Sequence, residues 1–301
     1  MNIKYSKTLC VILHYGSEDL TNKCITSIIN KKCLDIVIAD NDPSQSYEPP
    51  ECAKEHVKII KTGGSIGFSR AHNIVVNKFL SKDHGSVFIL NNDTIVKEGA
   101  LDYMRDTLNF SEVGAVGPCM PYSNQTNKIW ACGGTISKLR VSIGGIQPKE
   151  KLPYQVDYLP AAAILIRSNL WREIKGFNEE YFLAYEEAEF ALEIKKRGFK
   201  ILADPRSIIL HHVGMSSKIL PQYYYNGIRN RLIFSKYLYG KNNGLIYAII
   251  ITTFSFLKAR SLKDLYQRIR LWTKAVVDDL RAVPISQEIL KSITKQFAEK
   301  K

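Results

Sequence analysis

Three carboxylates lie within four positions of one another in the stretch 181–190, which has the sequence YFLAYEEAEF. Glu186, Glu187 and Glu189 follow an aromatic, mostly apolar run, and the pattern predicts a helix through Arg197. Carboxylates this close repel one another, so a fold tolerates them where a cation, or a proton that needs a base, lies nearby. A solvated first turn favoured by the helix dipole is the alternative interpretation. The apolar bulk before the acids favours a buried functional position.

Polar residues also follow four apolar runs that predict buried strands over 8–14, 36–39, 57–60 and 87–90. In chain order, these strand ends carry His14 and Tyr15, then Asp40, then a glycine loop over 63–67, and finally Asn91, Asn92 and Asp93. Predicted helices over 17–29 and 69–80 alternate with the strands, which is typical of a doubly wound, mostly parallel sheet. Because ligands bind outside the carboxyl ends of such strands, we expect one site there.

The strand ends differ in the chemistry that they offer. The carboxylate of Asp93 is suited to a hard divalent cation that in turn binds a phosphate. The glycine loop before Phe68 lets backbone N–H groups approach an anion at a helix N-terminus. Its glycine spacing matches neither G-x-G-x-x-G nor a P-loop, so a nicotinamide or ATP site is not favoured. His211, which ends a predicted strand over 208–210, is a candidate metal ligand, with His212 as the alternative.

The remaining residues predict the elements that complete this domain and a helical tail. Before the tail we expect a helix over 98–108, a loop or hairpin over 123–151, and strands over 113–116, 200–202 and 208–210. We expect 159–166 to be a buried strand or a strand–helix boundary. From Pro221 onward we expect helices. The apolar run 245–257 is shorter than the roughly 20 residues of a membrane span, so we expect an interfacial or core helix there.

The tail is basic and amphipathic. From Lys218 onward, 16 Lys/Arg stand against 5 Asp/Glu, a net charge of +11 out of +13 for the 301-residue chain. The last predicted helix, over 262–280, carries an apolar stripe of Leu265, Ile269, Trp272 and Val276, and we expect the residues from Pro284 to fray. This composition indicates contact with membrane headgroups, a lipid-linked diphosphate or nucleic acid. Aromatic residues on the stripe, and not on an exposed stacking platform, disfavour nucleic acid.

The length suffices for one large α/β domain over 1–217 and a smaller appendage over 218–301. The six cysteines include no C-x-x-C pair, and we expect most of them to be buried free thiols in a reducing cytosol. The polar residues 1–7, followed by a short strand, predict no signal peptide.

Several motifs in the same order resemble those of inverting family-two glycosyltransferases with a GT-A fold. They are most similar to the rhamnosyltransferase-like enzymes of bacterial surface-polysaccharide synthesis. The resemblance covers roughly 9–231 and rests on the segments VILHYGS, IVIADNDPS, GGSIGFSRAHN, FILNNDTIV, IWACGG, LPAAAILIR, GFNEEYFLAYEEAEFALEIKKRGFKILADP, HHVGMS and YYYNGIRN. It implies a nucleotide-sugar half over about 1–97 and an acceptor half over about 98–217.

The resemblance implies inverting, metal-dependent transfer of a sugar to a hydroxyl of a lipid-linked glycan in O-antigen or capsule synthesis, with dTDP-rhamnose as the first expected donor. The implied cofactor is Mg²⁺ or Mn²⁺. The implied partners are the nucleotide-sugar, a lipid-diphosphate-linked acceptor and the cytoplasmic face of the cell membrane, with no nucleic acid. The alternatives are a family member that uses a UDP-hexose or galactofuranose donor, and a degenerate module that binds nucleotide-sugar without turnover. A sugar nucleotidyltransferase is disfavoured, because YGSE at 15–18 replaces the glycine-rich, arginine-containing loop that it requires.

The resemblance also assigns roles to individual residues. Asp93 and His211 form the implied metal site, and Glu187 is the implied base that deprotonates the acceptor hydroxyl. The residues assigned to the donor are His14, Tyr15, Asp40, Gly67, Phe68, Arg70, Asn73, Asn91, Asn92, Arg229 and Asn230. The residues assigned to the acceptor side are Trp130, Tyr185 and Glu186.

Two departures from the family pattern concern the reacting groups. Glu186 and Glu187 stand where the family usually has Glu-Asp, and the extra methylene moves the carboxylate by about 1.5 Å. Because a misplacement of about 1 Å can cost on the order of a hundredfold in rate, the acceptor is seated differently, Glu186 or Glu189 shares the role, or the enzyme is impaired. The metal motif Asn91-Asn92-Asp93 also has one carboxylate fewer than Asp-x-Asp, which suggests a weaker, substrate-assisted metal site.

Overall fold

The computed structural model describes residues 6–213 and 221–298 as an α/β domain followed by a group of helices. The strands are β1 Lys7–His14, β2 Leu34–Asp40, β3 Val57–Lys61, β4 His84–Asn91, β5 Thr94–Val96, β6 Val113–Tyr122, β7 Gln125–Ala131, β8 Gly134–Ser137, β9 Ser142–Gly145, β10 Tyr154–Gln155, β11 Ala163–Arg167 and β12 Lys200–His211. The helices are α1 Glu18–Thr26, α2 Phe68–Phe79, α3 Ala100–Leu108, α4 Ser168–Ile174, α5 Glu186–Lys196, α6 Pro221–Tyr239, α7 Lys241–Thr253, α8 Leu262–Leu280 and α9 Gln287–Ala298.

The central sheet has the strand order β10-β12-β6-β11-β4-β1-β2-β3, and β5 and β7 pair with β12 and β6 at one side. β1 is parallel to both β2 and β4, β2 is parallel to β3, and β6 is parallel to β12. β11 runs antiparallel between β4 and β6. The carboxyl ends of β1, β2 and β4 therefore meet at one edge, and the predicted doubly wound, mostly parallel sheet is confirmed.

Helices cover both faces of this sheet. Leu9 and Val11 of β1 join a core that includes residues of α2, α4 and α5, whereas Cys10 and Ile12 join a second core with residues of α1 and α3. Because both faces of the strand are buried, apolar side chains are required at successive positions. This explains why β1, β2 and β4 could be predicted from apolar runs, whereas β3, at the sheet edge, is only partly buried.

The residues around Asp204 form part of one strand, so the prediction of two short strands at 200–202 and 208–210 is wrong. The pairing register of β12 with β6 shifts between Asp204 and Ile208, so the strand has an irregularity where a turn was expected. The buried Asp204 carboxylate accepts hydrogen bonds from Thr107 Oγ1 at 2.7 Å and from the Arg206 guanidinium at 2.7 and 2.9 Å. These partners satisfy a charged residue within the sheet.

The expectation that most of the six cysteines are buried free thiols is wrong, because Cys119 and Cys132 form a disulfide and only Cys10 and Cys24 among the described cysteines are buried and free. The antiparallel β6–β7 register pairs Met120 with Ala131, so the two flanking cysteines face each other with their Cα atoms 4.2 Å apart. Sequence spacing alone does not reveal this register. Among the other cysteines, Cys10 and Cys24 are buried free thiols and Cys33 and Cys52 are exposed free thiols.

The tail helices pack around a small core of their own, which contains Tyr225, Leu232, Leu271 and Ile293. On α8, the predicted stripe turns toward this core, because Val276 is buried and Trp272 packs against it. The expectation of fraying is wrong for 287–298, which form α9 and bury Leu290 and Ile293. The predicted boundary between 217 and 218, and the end of the HHVGMS segment at 214–216, lie outside the described residues.

Within 6–213 and 221–298, no helix combines the length and the apolar character that are needed to cross a membrane.

Candidate functional site

A cavity of about 370 Å³ lies at the carboxyl ends of β1, β2 and β4. Its wall is formed by the strand ends, the glycine loop, the residues before α5, and helices α6 and α9. The lining residues are Leu13, Tyr15, Asn41, Ser65, Gly67, Phe68, Asn91, Asn92, Asp93, Phe182, Leu183, Gln222, Tyr223, Asn226, Gln287 and Leu290. The structure therefore brings six of the predicted site residues into one cavity, namely Tyr15, Gly67, Phe68, Asn91, Asn92 and Asp93.

Asp93 and His211 lie side by side, because β5 follows Asp93 and pairs with the end of β12. Nε2 of His211 is 3.3 Å from Oδ1 of Asp93, but that oxygen has no hydrogen-bond partner, and neither has Nδ1 of the buried His211. The backbone N–H of His212 donates to the Asp93 carbonyl at 2.8 Å, which holds the two segments together. The side chain of His212 instead lies 3.0 Å from Ser123 Oγ. His211 is thus the histidine that faces Asp93.

Trp130 borders this pair. Its ring lies edge-on to the His211 ring, with the centroids 4.4 Å apart. The buried Oδ1 of Asn91 also lacks a hydrogen-bond partner. Buried polar atoms without partners are costly unless a ligand or ion satisfies them. These groups together therefore have the character of a ligand-binding centre.

His14 and Asp40, which were assigned to the donor, are buried and do not line the cavity. His14 Nδ1 lies 2.7 Å from Thr21 Oγ1, and its ring packs on Tyr47 with a centroid distance of 4.3 Å. Burial lowers the pKa of His14, although Asp40 opposes this effect, so the ring is held neutral. Asp40 accepts hydrogen bonds from the backbone N–H groups of Asp42 and Tyr47 at 3.3 and 3.4 Å. Both residues hold the loop that presents Asn41 to the cavity.

The glycine loop packs directly against the residues before α5. Gly67 has a φ of 95°, and a Cβ added there would lie 3.0 Å from both the side chain and the carbonyl oxygen of Phe182. The next residue, Phe68, donates its N–H to that carbonyl at 2.7 Å. Glycine is therefore required at 67, both for its backbone conformation and for the close approach of two chain segments. This contact joins the two predicted halves of the domain.

Arg70 and Asn73 do not line the cavity. Arg70 is exposed, whereas Asn73 is buried and connects α2 to the turn at 176–178. Its Nδ2 donates to the Phe177 carbonyl at 2.8 Å, and its Oδ1 accepts from the Phe177 N–H at 2.9 Å. A side chain added to Gly176 would clash with Asn73 Oδ1 at 2.3 Å. Asn73 therefore has a structural role, because it joins the predicted nucleotide-sugar half to the predicted acceptor half.

The backbone before α5 adopts an unusual conformation. We call residues 182–187 the acidic turn; within it, Ala184 and Tyr185 have φ values of 70° and 79°. Such values cost a non-glycine residue about 1–2 kcal/mol. Nδ2 of Asn230, from α6, donates to the carbonyls of Leu183 and Ala184 at 2.8 and 2.9 Å, and Nδ2 of Asn226 donates to Leu183 at 2.8 Å. Two asparagines thus hold the strained backbone that leads into α5.

Arg229, which was assigned to the donor together with Asn230, points away from the cavity. Its guanidinium donates to the Tyr225 hydroxyl at 3.0 Å and to the Val283 carbonyl at 2.8 Å, and its Nε lies 4.0 Å from Asp279. It is buried in the tail and is not among the cavity residues.

The three acids of the turn have different surroundings. Glu186 is buried, and burial together with the charge of Glu187 raises its pKa well above the ordinary value. Burial also raises the pKa of Glu187, to about 7. Glu189 accepts hydrogen bonds from the Tyr181 hydroxyl at 2.7 Å and from Asn178 Nδ2 at 3.1 Å, which occupy both of its oxygens. Glu187 is therefore the acid best placed to exchange a proton near neutral pH.

The side chain of Glu187 lies next to Tyr158, whose pKa is raised by burial and by the charge of that carboxylate. Glu186, Glu187 and Tyr185 do not line the cavity, which reaches the acidic turn only at Phe182 and Leu183. The hydroxyl of Tyr185 donates to the Val141 carbonyl at 3.2 Å, toward the β8–β9 hairpin. Glu187 thus lies behind the cavity wall, on the side of the acceptor half.

The described lining of the cavity carries little charge. Among the described residues that line it, none is Lys or Arg, and Asp93 is the one carboxylate. No group of three or more His, Cys, Asp or Glu side chains in the described part of the chain is arranged to hold a metal ion. A cation at Asp93 and His211 would therefore need further ligands from a bound substrate or water.

Sequence reasoning missed several residues of the cavity. Asn41 accepts hydrogen bonds from Thr62 Oγ1 and from the Ile66 N–H, each at 3.0 Å, and its place after a strand end was a signal. Tail residues are the larger omission: Gln222, Tyr223, Asn226, Gln287 and Leu290. Tyr223 and Asn226 belong to the motif segment YYYNGIRN, although no role was assigned to them. No local motif marks Gln222, Gln287 or Leu290, because they reach the cavity only through the packing of α6 and α9.

Sequence comparison agrees with this geometry. The family model described as "Glycosyltransferase like family 2" matches residues 15–223. The chain is 22% identical over 252 residues to a low-salt glycan biosynthesis hexosyltransferase of Haloferax volcanii, with 82% of this chain and 80% of that protein covered. It is 21% identical over 223 residues to an N-acetylglucosaminyl-diphospho-decaprenol L-rhamnosyltransferase of Mycobacterium tuberculosis, with 64% and 70% covered.

Structural comparison extends the likeness to nearly the whole chain. A mannosyltransferase from Pyrobaculum calidifontis, solved in complex with GDP-Man and Mn²⁺, superposes with a TM-score of 0.54 at 11% identity. The match covers 97% of this chain and 84% of that one. The sheet and the cavity at its edge define a glycosyltransferase domain of the GT-A fold. The chain belongs to glycosyltransferase family 2, so both the fold and the family that the sequence motifs implied are confirmed.

Proposed function

We propose that the protein transfers a sugar with inversion from a nucleotide-sugar to a hydroxyl of a lipid-diphosphate-linked glycan. The observation that carries the proposal is the cavity at the strand ends, whose lining residue Asp93 lies beside the buried His211, each with an unpartnered polar atom. A single displacement would form a bond between the acceptor oxygen and the anomeric carbon while the bond from that carbon to the diphosphate breaks.

A divalent cation, Mg²⁺ or Mn²⁺, fits the residues present. Asp93 supplies a carboxylate oxygen and His211 a ring nitrogen, and the buried atoms Asp93 Oδ1 and His211 Nδ1 lack partners. Because no Lys or Arg among the described lining residues faces the cavity, a bound cation would neutralise the charge that develops on the leaving diphosphate. The mannosyltransferase neighbour was solved with Mn²⁺, which supports this assignment.

Glu187 is our candidate for the base. With a pKa raised to about 7 by burial, its carboxylate is matched to accept the proton of an acceptor hydroxyl near neutral pH. Asn230 and Asn226 would act by holding the acidic turn, and not by binding phosphate. Trp130, Tyr185 and Glu186 are proposed to border the acceptor; Tyr15, Asn41, Asn91 and Asn92 are proposed to contact the donor.

For the donor we propose dTDP-rhamnose, because one relative is named as an L-rhamnosyltransferase that acts on a diphospho-decaprenol carrier. The pathway would be O-antigen or capsule synthesis, in line with the sequence motifs. The hexosyltransferase of Haloferax volcanii supports a hexose donor as the alternative.

The tail is proposed to dock on the cytoplasmic face of the cell membrane, where a lipid-linked acceptor is found. Exposed apolar side chains recur at helical spacing along α7, the short 3₁₀ helix 254–258, and α8: Ile246, Ile250, Phe254, Leu257, Leu262, Tyr266 and Ile269. Lys258, Arg260 and Lys263 are exposed beside them. An apolar face flanked by cations complements a bilayer with anionic headgroups. This face shares Ile269 with the predicted stripe, but Trp272 and Val276 of that stripe pack in the tail core.

A donor panel tests the catalytic proposal. We would measure thermal shifts with dTDP-rhamnose, UDP-galactose, UDP-galactofuranose and GDP-mannose, with and without Mn²⁺, and then follow transfer to a synthetic lipid-diphosphate glycan by NMR. The expected result is one metal-dependent donor and a product of inverted anomeric configuration. Donor binding without transfer would favour the degenerate module, and retained configuration would refute the single displacement.

Vesicle sedimentation tests the docking proposal. Leu257→Glu and Leu262→Glu alter side chains that are 81% and 86% exposed, and Leu152→Glu, at 64%, is the matched control in the α/β domain. Burying one leucine contributes about 1.5–3 kcal/mol, so each tail variant should lose at least tenfold in binding to vesicles with anionic lipid. Equal binding by all three variants would refute the proposal that this face binds the membrane.

A further inference from the structure

The last helix contributes a side chain to the cavity from the far end of the chain. Gln287, the first residue of α9, lies close to two residues of the α/β domain on different cavity segments. Its Nε2 donates to the Tyr15 hydroxyl at 3.4 Å, and its Oε1 accepts from Ser65 Oγ at 3.5 Å. One amide thus spans the space between the end of β1 and the glycine loop.

The position of this amide is set by packing. Leu290, one turn further along α9, is buried and also lines the cavity, and Ile293 is fully buried in the tail core with Tyr225 and Leu232. The hydroxyl of Thr294 donates to Gln222 on α6. Helix α9 is therefore anchored along α6, and Gln287 is held at the cavity by contacts that do not involve its own side chain.

A second polar group faces the cavity from the same wall. Asn226 of α6 is about nine-tenths buried, and while its Nδ2 donates to Leu183, its Oδ1 has no hydrogen-bond partner. The two contacts of Gln287 are at the long limit for hydrogen bonds. An unpartnered oxygen and a loosely held amide are groups that a ligand can engage at little cost, since few existing hydrogen bonds must be broken.

The chemistry of this wall suits a neutral part of a ligand. An amide offers both a donor and an acceptor, as do ribose hydroxyls and base edges, whereas a diphosphate requires cations or several N–H groups. We infer that α9 forms part of the donor pocket and that Gln287 binds the nucleoside portion of the nucleotide-sugar. This inference rests on the proposed function. It gives the tail a part in selecting the donor, in addition to its proposed part in docking the protein on the membrane.

Calorimetry on the full-length protein separates this role from a structural one. Titrations with UDP, dTDP and GDP in the presence of Mn²⁺ identify the preferred nucleotide, and Mn²⁺–pyrophosphate serves as a probe without a nucleoside. Gln287→Ala should weaken binding of the preferred nucleotide about fivefold to tenfold, as expected for one hydrogen bond of about 1–1.4 kcal/mol. It should leave pyrophosphate binding and the melting temperature unchanged. Lys291→Ala, an exposed position on α9, is the matched control.

The outcomes distinguish a failure of the proposed function from a failure of the inference about Gln287. If the unaltered protein binds no nucleoside diphosphate, the proposed function and this inference both fail. If it binds one and Gln287→Ala binds it equally well, the inference alone is refuted. Equal losses for nucleotide and pyrophosphate, or a lowered melting temperature, would show that Gln287 only holds the structure. Gln287→Glu adds a negative charge at the same position, so it should weaken nucleotide binding at least as much as alanine does.

Discussion

Asn230→Ala tests whether α6 holds the acidic turn in a productive shape. The wild-type amide donates to two carbonyls, those of Leu183 and Ala184, at 2.8 and 2.9 Å from a buried position. Losing two hydrogen bonds of about 1 kcal/mol each, together with some buried contact, should cost about 2–3 kcal/mol. For a chain of 301 residues the melting temperature should fall by roughly 3–5 °C. Asn226 still donates to Leu183, so we expect local relaxation and not loss of the fold.

The expected effect on turnover follows from backbone strain. Ala184 and Tyr185 are held at positive φ, and each such residue costs about 1–2 kcal/mol, which is similar to the hydrogen bonds removed. The turn should therefore relax and move Glu187, and a shift of about 1 Å lowers the rate on the order of a hundredfold. The KM for the donor should change less than kcat, because Asp93 is not altered and the glycine loop is affected only through its contact with Phe182.

The assay is steady-state transfer with the donor found in the panel, combined with thermal unfolding. Asn242→Ala, on the exposed start of α7, is the control and should behave as wild type. Adding Ala184→Gly to Asn230→Ala should restore part of the turnover, since glycine accepts positive φ without strain. If Asn230→Ala lowers the melting temperature but keeps kcat within threefold of wild type, the asparagine is structural only and the reasoning is refuted.

Three further predictions concern the acids of the site. Asp93→Ala should abolish the Mn²⁺-dependent part of donor binding in calorimetry, and unchanged binding would remove Asp93 from the metal site. Glu187→Gln should keep donor affinity but lose turnover, and wild-type kcat should rise with pH through about 7 as that carboxylate ionises; a flat profile from about pH 5.5 to 8.5 would contradict this. The pKa of buried Glu186 is raised, so the wild-type fold is favoured while this group is protonated and loses stability as pH rises through that pKa. The melting temperature of the wild type should therefore fall with rising pH, and Glu186→Gln should make this fall less steep. An unchanged slope would show that the pKa of Glu186 is the same in the folded and unfolded states, which would contradict the upward shift.

The sequence-based predictions agree best with the structure for features that a single local pattern of residues determines. The runs at 8–14 and 87–90 became β1 and β4, because strands covered on both faces need apolar side chains at every position. Tyr15 and Asp93 reached the same cavity for an equally general reason, since adjacent parallel strands end at one edge of a sheet.

The roles that the motifs implied for single residues were less specific than the predicted strands. His14, Asp40 and Asn73 were expected along the donor, yet their side chains hold the loops around the cavity. Arg229 turns into the tail, whereas its neighbour Asn230 supports the acidic turn. A motif indicates that residues belong to a site, but it does not distinguish a residue that would touch the ligand from one that positions a neighbour.

The sequence by itself determined the parallel sheet, the glycine at 67, the strand-end carboxylate Asp93 and the basic character of the tail, because each follows from residue type and local spacing. Only the tertiary structure decided that His211 faces Asp93, that Cys119 meets Cys132, and that Gln287 closes the cavity. These contacts join residues through strand register and helix packing. Both depend on how many side chains fit together at once, and therefore cannot be inferred from any single segment.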